Sequence, residues 1–424
     1  MRLKGYDRIG EQVYSETLPN GLRVVVIPKR GYAKAYASFA TNYGGADRRF
    51  MLSGGWTDTP AGVAHFLEHK MFDTRDGNAL SELSANGASP NAFTSSDITL
   101  YHFQCTEKFM ENLHTLLSFV SVPYFTQESV QKEQGIIGQE IRMTEDSPGT
   151  AMYYGLMRSL YQWNPVRDPV AGTVESIAEI TPETLYGCHS IFYNPSNMIL
   201  CAMGDADPEQ VIREAENVLP RKSAVIPARD YGPAEDPQPA ARESIKAMAV
   251  SRPQFIIGAK ASYPGEGEPL QRRIHTAQLA CRCIAGSTSP LYAKLYADGL
   301  ITDDFSADYD VSAGTATCLF GGESDDPRAV MEAIRAEAEH VAKNGPNEAL
   351  FLRIRKSLIG SSIRALNSFD SVCYNQSWAY FHGYDPFEGI DVLDDITPED
   401  VRRFAAEDLR GDRLAISIVN PSQT

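Results

Sequence analysis

Ile180-Thr181-Pro182-Glu183 returns as Ile396-Thr397-Pro398-Glu399, an offset of 216 residues (from 180 to 396) in a chain of 424. In both copies a helix is expected to follow the tetrapeptide. After the same interval each helix leads into an apolar run, Met198 to Met203 and Leu414 to Val419, that suits a strand. A repeat of about half the chain means duplicated domains and not a solenoid, whose period would be about 20–50 residues. Pro220 to Glu243, rich in Pro, Ala and charge, has the composition of a linker. The expected organisation is an N-terminal half over residues 1–219, a linker over 220–245 and a homologous C-terminal half over 246–424.

Outward from the repeat, the first half alternates strands with helices. Val13 to Leu18 and Leu22 to Pro28 flank Pro19-Asn20-Gly21 as a hairpin, and Ala35 to Asn42 suits another strand. A helix is expected over about Gly62 to Phe72, a strand over Ala92 to Gln104 and a helix over Glu107 to Val120. A long amphipathic helix follows from about Gln127 to Asp146, where Ser147-Pro148-Gly149 ends it. This order predicts an α+β class: two homologous half-domains, each an antiparallel sheet with helices, joined by a linker in a clam-shell arrangement.

Composition narrows the partners. With 43% hydrophobic and 22% charged residues the chain can bury a large core, and its net charge of −16 argues against nucleic-acid or anionic-membrane surfaces, which select for Lys and Arg. The first ten residues contain no signal-peptide core and no apolar run reaches spanning length, so a soluble cytoplasmic protein is expected. Seven cysteines without regular spacing read as reduced core thiols. Cys281-x-Cys283, on a predicted helix, points its sulfurs to different sides, which is no ligand pair.

Chemistry concentrates in His65-Phe66-Leu67-Glu68-His69. On a helix, two histidines four residues apart stack on one face with Glu68 beside them, the inverse of His-Glu-x-x-His. A catalytic zinc usually takes three protein ligands and leaves a position for water, so a third donor must come from elsewhere. Glu133 and Glu140 share a face of the long helix, although that spacing equally fits two solvated carboxylates. The remaining histidines, His102, His114, His189, His275, His340 and His382, lack ligand spacing and read as packing or surface residues.

Gly62 to Phe72, Asn91-Ala92-Phe93-Thr94 and the helix with Glu133 and Glu140 occur in the order of the pitrilysin and mitochondrial-processing-peptidase family, and the chain resembles it. Gly172-Thr173, Asn194-Pro195-x-Asn197 and Gly204-Asp205 extend the likeness through the first half. The His-Phe-Leu-Glu-His-Lys-Met-Phe run and Leu295 to Ile301 resemble the bacterial YmfH-type branch. The resemblance implies one Zn2+ per chain on His65, His69 and Glu140, with Glu68 as catalytic base and Glu133 as a supporting carboxylate that orients a ligand histidine. It implies a zinc-dependent endopeptidase acting on unfolded peptides or short protein segments. Asn91, Ala92 and Phe93 would lie on an edge strand that pairs with extended peptide.

The likeness departs in the second half. A shift by the repeat offset puts His65 to His69 on Cys281 to Ala285, and Glu133 and Glu140 on Ala349 and Lys356, so no second metal site is expected. Family members often carry an Arg and a Tyr seven residues apart that reach over the bound peptide; here Tyr296 stands where that Arg is expected and no Tyr follows. That gap implies a partner, a homologous subunit without the metal motif in a heterodimer or a second copy in a homodimer. The alternative reading is a zinc-retaining assembly subunit without catalysis, and a third is hydrolysis within a biosynthetic or modification pathway. A complete His, Glu, His, Glu set favours the peptidase, because a scaffold has no use for an unligated Glu68.

Overall fold

A computed structural model describes residues 1–221 and 223–422, so Lys222 of the expected linker and the last two residues lie outside it. The chain forms two compact units: Met1–Ile141 with Pro169–Asp230 and Ile363–Pro386, and Arg142–Asp168 with Tyr231–Ser362 and Phe387–Thr424. Both are α+β, as expected.

In the first unit a seven-stranded sheet comprises β1 (Arg2–Tyr6), β2 (Glu11–Thr17), β3 (Arg23–Pro28), β4 (Ala35–Thr41), β5 (Ser89–Thr94), β6 (Thr99–Cys105) and β7 (Met198–Gly204), in the order β1-β2-β3-β7-β4-β6-β5. Every residue of β4 and β7 is buried. Their runs, Ala-Tyr-Ala-Ser-Phe-Ala-Thr and Met-Ile-Leu-Cys-Ala-Met-Gly, are apolar on both pleats because helices cover both faces. At the margin, β5 is only partly buried and has one hydrogen-bonded neighbour, β6.

The single strand expected over Ala92 to Gln104 is two strands. β5 and β6 pair antiparallel, Thr94 opposite Thr99 and Asn91 opposite His102. The turn between them contains neither Gly nor Pro. Ser95 and Asp97 build it: Ser95 Oγ donates to Asp97 Oδ1 at 3.0 Å, and Ser95 N bonds Ile98 O at 2.8 Å. Short polar side chains that bond their own backbone substitute for the usual turn residues.

The second unit repeats the plan. Its sheet has β8 (Glu243–Met248), β9 (Gln254–Ala261), β10 (Ser306–Ser312), β11 (Thr315–Glu323) and β12 (Leu414–Pro421), in the order β8-β12-β9-β11-β10. As β7 runs parallel to β3 and antiparallel to β4, so β12 runs parallel to β8 and antiparallel to β9. The repeated helices span Pro182–Phe192 and Pro398–Asp408, in exact register, and Thr181 and Thr397 cap them by accepting from the backbone N–H three residues on.

The units and the sequence halves differ: the expected linker is divided between the units at Asp230 and Tyr231, and two helices are exchanged. Helix α3 (Pro148–Leu160) from the first half packs on β8, β9 and β12, and helix α5 (Phe369–Phe381) from the second half packs on β4 and β7. Each sheet thus takes its second cover from the other half of the sequence. Glycine eases the close approach of α3: a Cβ on Gly258 of β9 would sit 2.8 Å from the Leu156 side-chain end, which would have to shift. All seven cysteines are free and buried, and Cys281 and Cys283 lie inside helix α4 (Glu268–Ala285) with Ile284 and Ala285, an apolar counterpart of the histidine segment.

His189, in the repeated helix of the first unit, illustrates a histidine used for packing. It is 6% exposed, its Nε2 lies 3.0 Å from Val120 O, and burial pushes its pKa down to about 4 despite that carbonyl. The unfolded imidazole takes up a proton near pH 6.5 while the folded one stays neutral to about pH 4. Stability from this group is therefore complete above pH 6.5 and falls by about 3 kcal/mol between pH 6.5 and pH 4, at roughly 1.4 kcal/mol per unit. Melting temperatures measured across that interval should drop less steeply for His189→Gln than for the wild type. Parallel slopes would show that His189 does not contribute.

Candidate metal centre

The helix expected over Gly62 to Phe72 is α1 (Val63–Met71). Gly62 begins it with φ 98°, a left-handed conformation natural to glycine, and a Cβ there would lie 2.6 Å from Ala171 O. Eight of its nine residues are buried, including His65 and Glu68, because Phe66, Leu67 and Met71 anchor it in the core of the first unit. Packing so complete fixes the direction of each polar side chain as firmly as of each apolar one.

The second helix is α2 (Gln127–Glu145), which Val130, Ile137 and Ile141 seat in the core. It brings Glu133 and Glu140 to the histidines. His65, His69 and Glu140 offer three donor atoms within 4.8 Å of one another. Glu140 Oε1 is 3.5 Å from His65 Nε2, and its Oε2 is 3.5 Å from His69 Nε2. Around a tetrahedral zinc with ligand bonds of about 2.0–2.2 Å, adjacent donors lie about 3.3–3.5 Å apart. Two imidazoles and one carboxylate at this spacing fit that ion.

Glu133 Oε1 lies 2.9 Å from His69 Nδ1, so the second ring nitrogen has a carboxylate partner and Nε2 is directed towards Glu140. His65 Nδ1 is buried without a hydrogen-bond partner among the described residues, while the other ring nitrogen faces Glu140. The charges are consistent with a cation site. Burial would lower the His69 pKa, but the Glu133 hydrogen bond and the charges of Glu68, Glu133 and Glu140 outweigh it and raise the value. The His65 hydrogen bond, against the opposing effect of burial, holds the Glu140 carboxyl below its ordinary range.

Glu68 is 8% exposed and takes no part in the three-donor cluster. Its Oε2 accepts from Thr94 Oγ1 at 2.8 Å. Thr94, in β5, ends the Asn91-Ala92-Phe93-Thr94 segment, and the sequence assigned it no role; the signal was its place two residues beyond Ala92, on the same pleat.

That alternation also sorts the expected peptide contacts. Ala92 and Thr94 face α1, with Ala92 against the core beneath it. Asn91 and Phe93 project from the opposite face, where the Phe93 ring lies 5.6 Å from Tyr374 of α5. Only the main chain of β5 is common to both faces.

Known proteins are similar to this chain. A family profile described as Insulinase (Peptidase family M16) matches residues 52–174, and one described as Peptidase M16 inactive domain matches residues 179–358. The uncharacterized zinc protease YmfH of Bacillus subtilis is 38% identical over 423 residues, covering 98% of each chain. The chain belongs to peptidase family M16. The crystal structure of an M16-like peptidase from Alicyclobacillus acidocaldarius superposes with a TM-score of 0.93 at 34% identity, over 97% of this chain and 99% of the other. Pitrilysin shares the fold, with a TM-score of 0.77 at 16% identity over 99% of this chain and 46% of its own. The M16 family and the donor set together support zinc-dependent endopeptidase chemistry. Among the described residues, no helix is long and apolar enough to cross a membrane.

Proposed function

We propose that the chain is the catalytic subunit of a peptidase that cleaves unfolded peptides or short protein segments, with one zinc on His65, His69 and Glu140 and with Glu68 as the base. The observation that carries this reading is the convergence of those three donors beside an unligated carboxylate held by Thr94. Bound there, zinc supplies Lewis acidity, polarising the scissile carbonyl and lowering the pKa of the attacking water from about 15.7 towards about 7. Glu68 takes the proton of that water and delivers it to the leaving amine. Glu133 keeps His69 in the tautomer that presents Nε2.

Peptide binding falls to the free margin of β5, the strand of Asn91, Ala92 and Phe93, where alternate residues turn their main-chain N–H and C=O groups away from β6 towards an extended strand. Affinity carried by the backbone reads sequence loosely. In the second unit, half-exposed Tyr296 closes helix Pro290–Ala297 where the family often has Arg. A homologous subunit without the metal motif, or a second copy of the chain, is proposed to supply the missing polarising groups, in the cytoplasm.

Turnover of an unstructured peptide library by the purified chain, alone and with its co-purified homologue, tests this reading. Cleavage that a chelator abolishes and zinc restores is expected. Intact peptides in both zinc-loaded preparations would overturn the proposal.

A further inference from the structure

Glu68 hydrogen-bonds to Thr94 and, among the described residues, to no other group. Thr94 closes β5, the strand with the free margin, and sits opposite Thr99 of β6. Thr99 is fully buried; its Oγ1 donates to Tyr43 O at 2.8 Å and lies 3.4 Å from Thr94 Oγ1. The Ser95–Asp97 turn begins at the next residue and fixes the end of the strand. Thr94 itself is β-branched, and a threonine in a strand holds few χ1 rotamers. Its hydroxyl is thus a donor in a defined place, aimed at one oxygen of Glu68 and leaving the other for water.

From this geometry we infer that Thr94 is a positioning residue: its hydroxyl holds the Glu68 carboxylate in the orientation that meets the attacking water, and it does so from the strand that receives the peptide. The inference rests on the peptidase reading above and deepens it. The backbone of β5 carries the main-chain groups offered to substrate, and one side chain of the same strand sets the base. Peptide alignment and water activation therefore share one rigid element. Binding groups are expected to be spared when the hydroxyl is lost, because the peptide is met by the main chain of β5 and not by the Thr94 side chain.

The test compares zinc-loaded wild type, Thr94→Val and Thr94→Ser. Valine keeps the branched shape and deletes the donor; serine keeps the donor. Thr94→Val should retain one zinc per chain and a KM within about twofold, while kcat falls about 10–100-fold, the scale of a misplaced catalytic group. Thr94→Ser should recover kcat to within about threefold of wild type.

A readout independent of turnover is the affinity for a peptide hydroxamate, whose hydroxyl bonds the carboxylate beside the metal. Thr94→Val should weaken that affinity about tenfold, yet add less than about twofold in a Glu68→Gln background, since groups acting as a unit are non-additive. Wild-type kcat in Thr94→Val, loss of zinc, a rise in KM that accounts for the whole defect, or a serine variant no better than valine would each overturn the inference. In those cases the peptidase reading stands so long as the wild type cleaves peptide or binds the hydroxamate. A zinc-loaded wild type that does neither overturns both.

Discussion

Glu68→Gln leaves one zinc per chain and lowers peptide turnover about 10⁴-fold, the upper end of the range for a lost general base. The substitution replaces a carboxylate with an amide of nearly the same shape, so the 2.8 Å contact from Thr94 has an acceptor still available. It removes the one property the reaction needs from this side chain, the capacity to take a proton and return it. About 5 kcal/mol of transition-state stabilisation disappears while the ground state is nearly untouched. Metal analysis beside steady-state kinetics separates the outcomes. Loss of zinc would make Glu68 a ligand, and retained turnover would remove it from the mechanism.

Glu140→Gln produces the opposite pattern, loss of the metal itself. Glu140 sets one carboxylate oxygen 3.5 Å from each histidine Nε2 and supplies the only negative charge among the three donors. A neutral amide in that place leaves two imidazoles and a weak oxygen. Zinc affinity should fall at least about 10³-fold, which exceeds the roughly 10–100-fold expected when a supporting carboxylate such as Glu133 is changed to Gln. Competition against a chelator of known strength reads both values. Equal affinities for the two variants would contradict the division into a ligand and a supporter.

The repeat and the histidine segment were legible because both are local. Apolar runs and a four-residue histidine spacing are written in contiguous residues, and most helices and strands appeared within a few residues of where those signals placed them; Thr59-Pro60 reads as the start of the histidine helix, which begins instead at Gly62. The long helix was expected over Gln127 to Asp146 and spans Gln127–Glu145. The turn at Ser95-Ser96-Asp97 was missed because polar residues within a strand of alternating pattern look like its solvent pleat, and only the pairing of Thr94 with Thr99 exposes the reversal.

Thr94 escaped for a related reason: a hydroxyl becomes functional through what it touches, and Glu68 is twenty-six positions away in the chain. Least legible was the exchange of α3 and α5. An amphipathic helix states that it will cover something apolar, but its pattern does not say which sheet.

That exchange bears on biosynthesis. During translation β7 is complete at Gly204, yet its second roof, Phe369–Phe381, begins 165 residues later (from 204 to 369). Until those residues leave the ribosome, one greasy side of β4 and β7 waits bare. Cutting the gene at the linker would strand both products in that condition, each retaining a helix that belongs on the other's sheet, and reunion of the two fragments would be needed before either was finished.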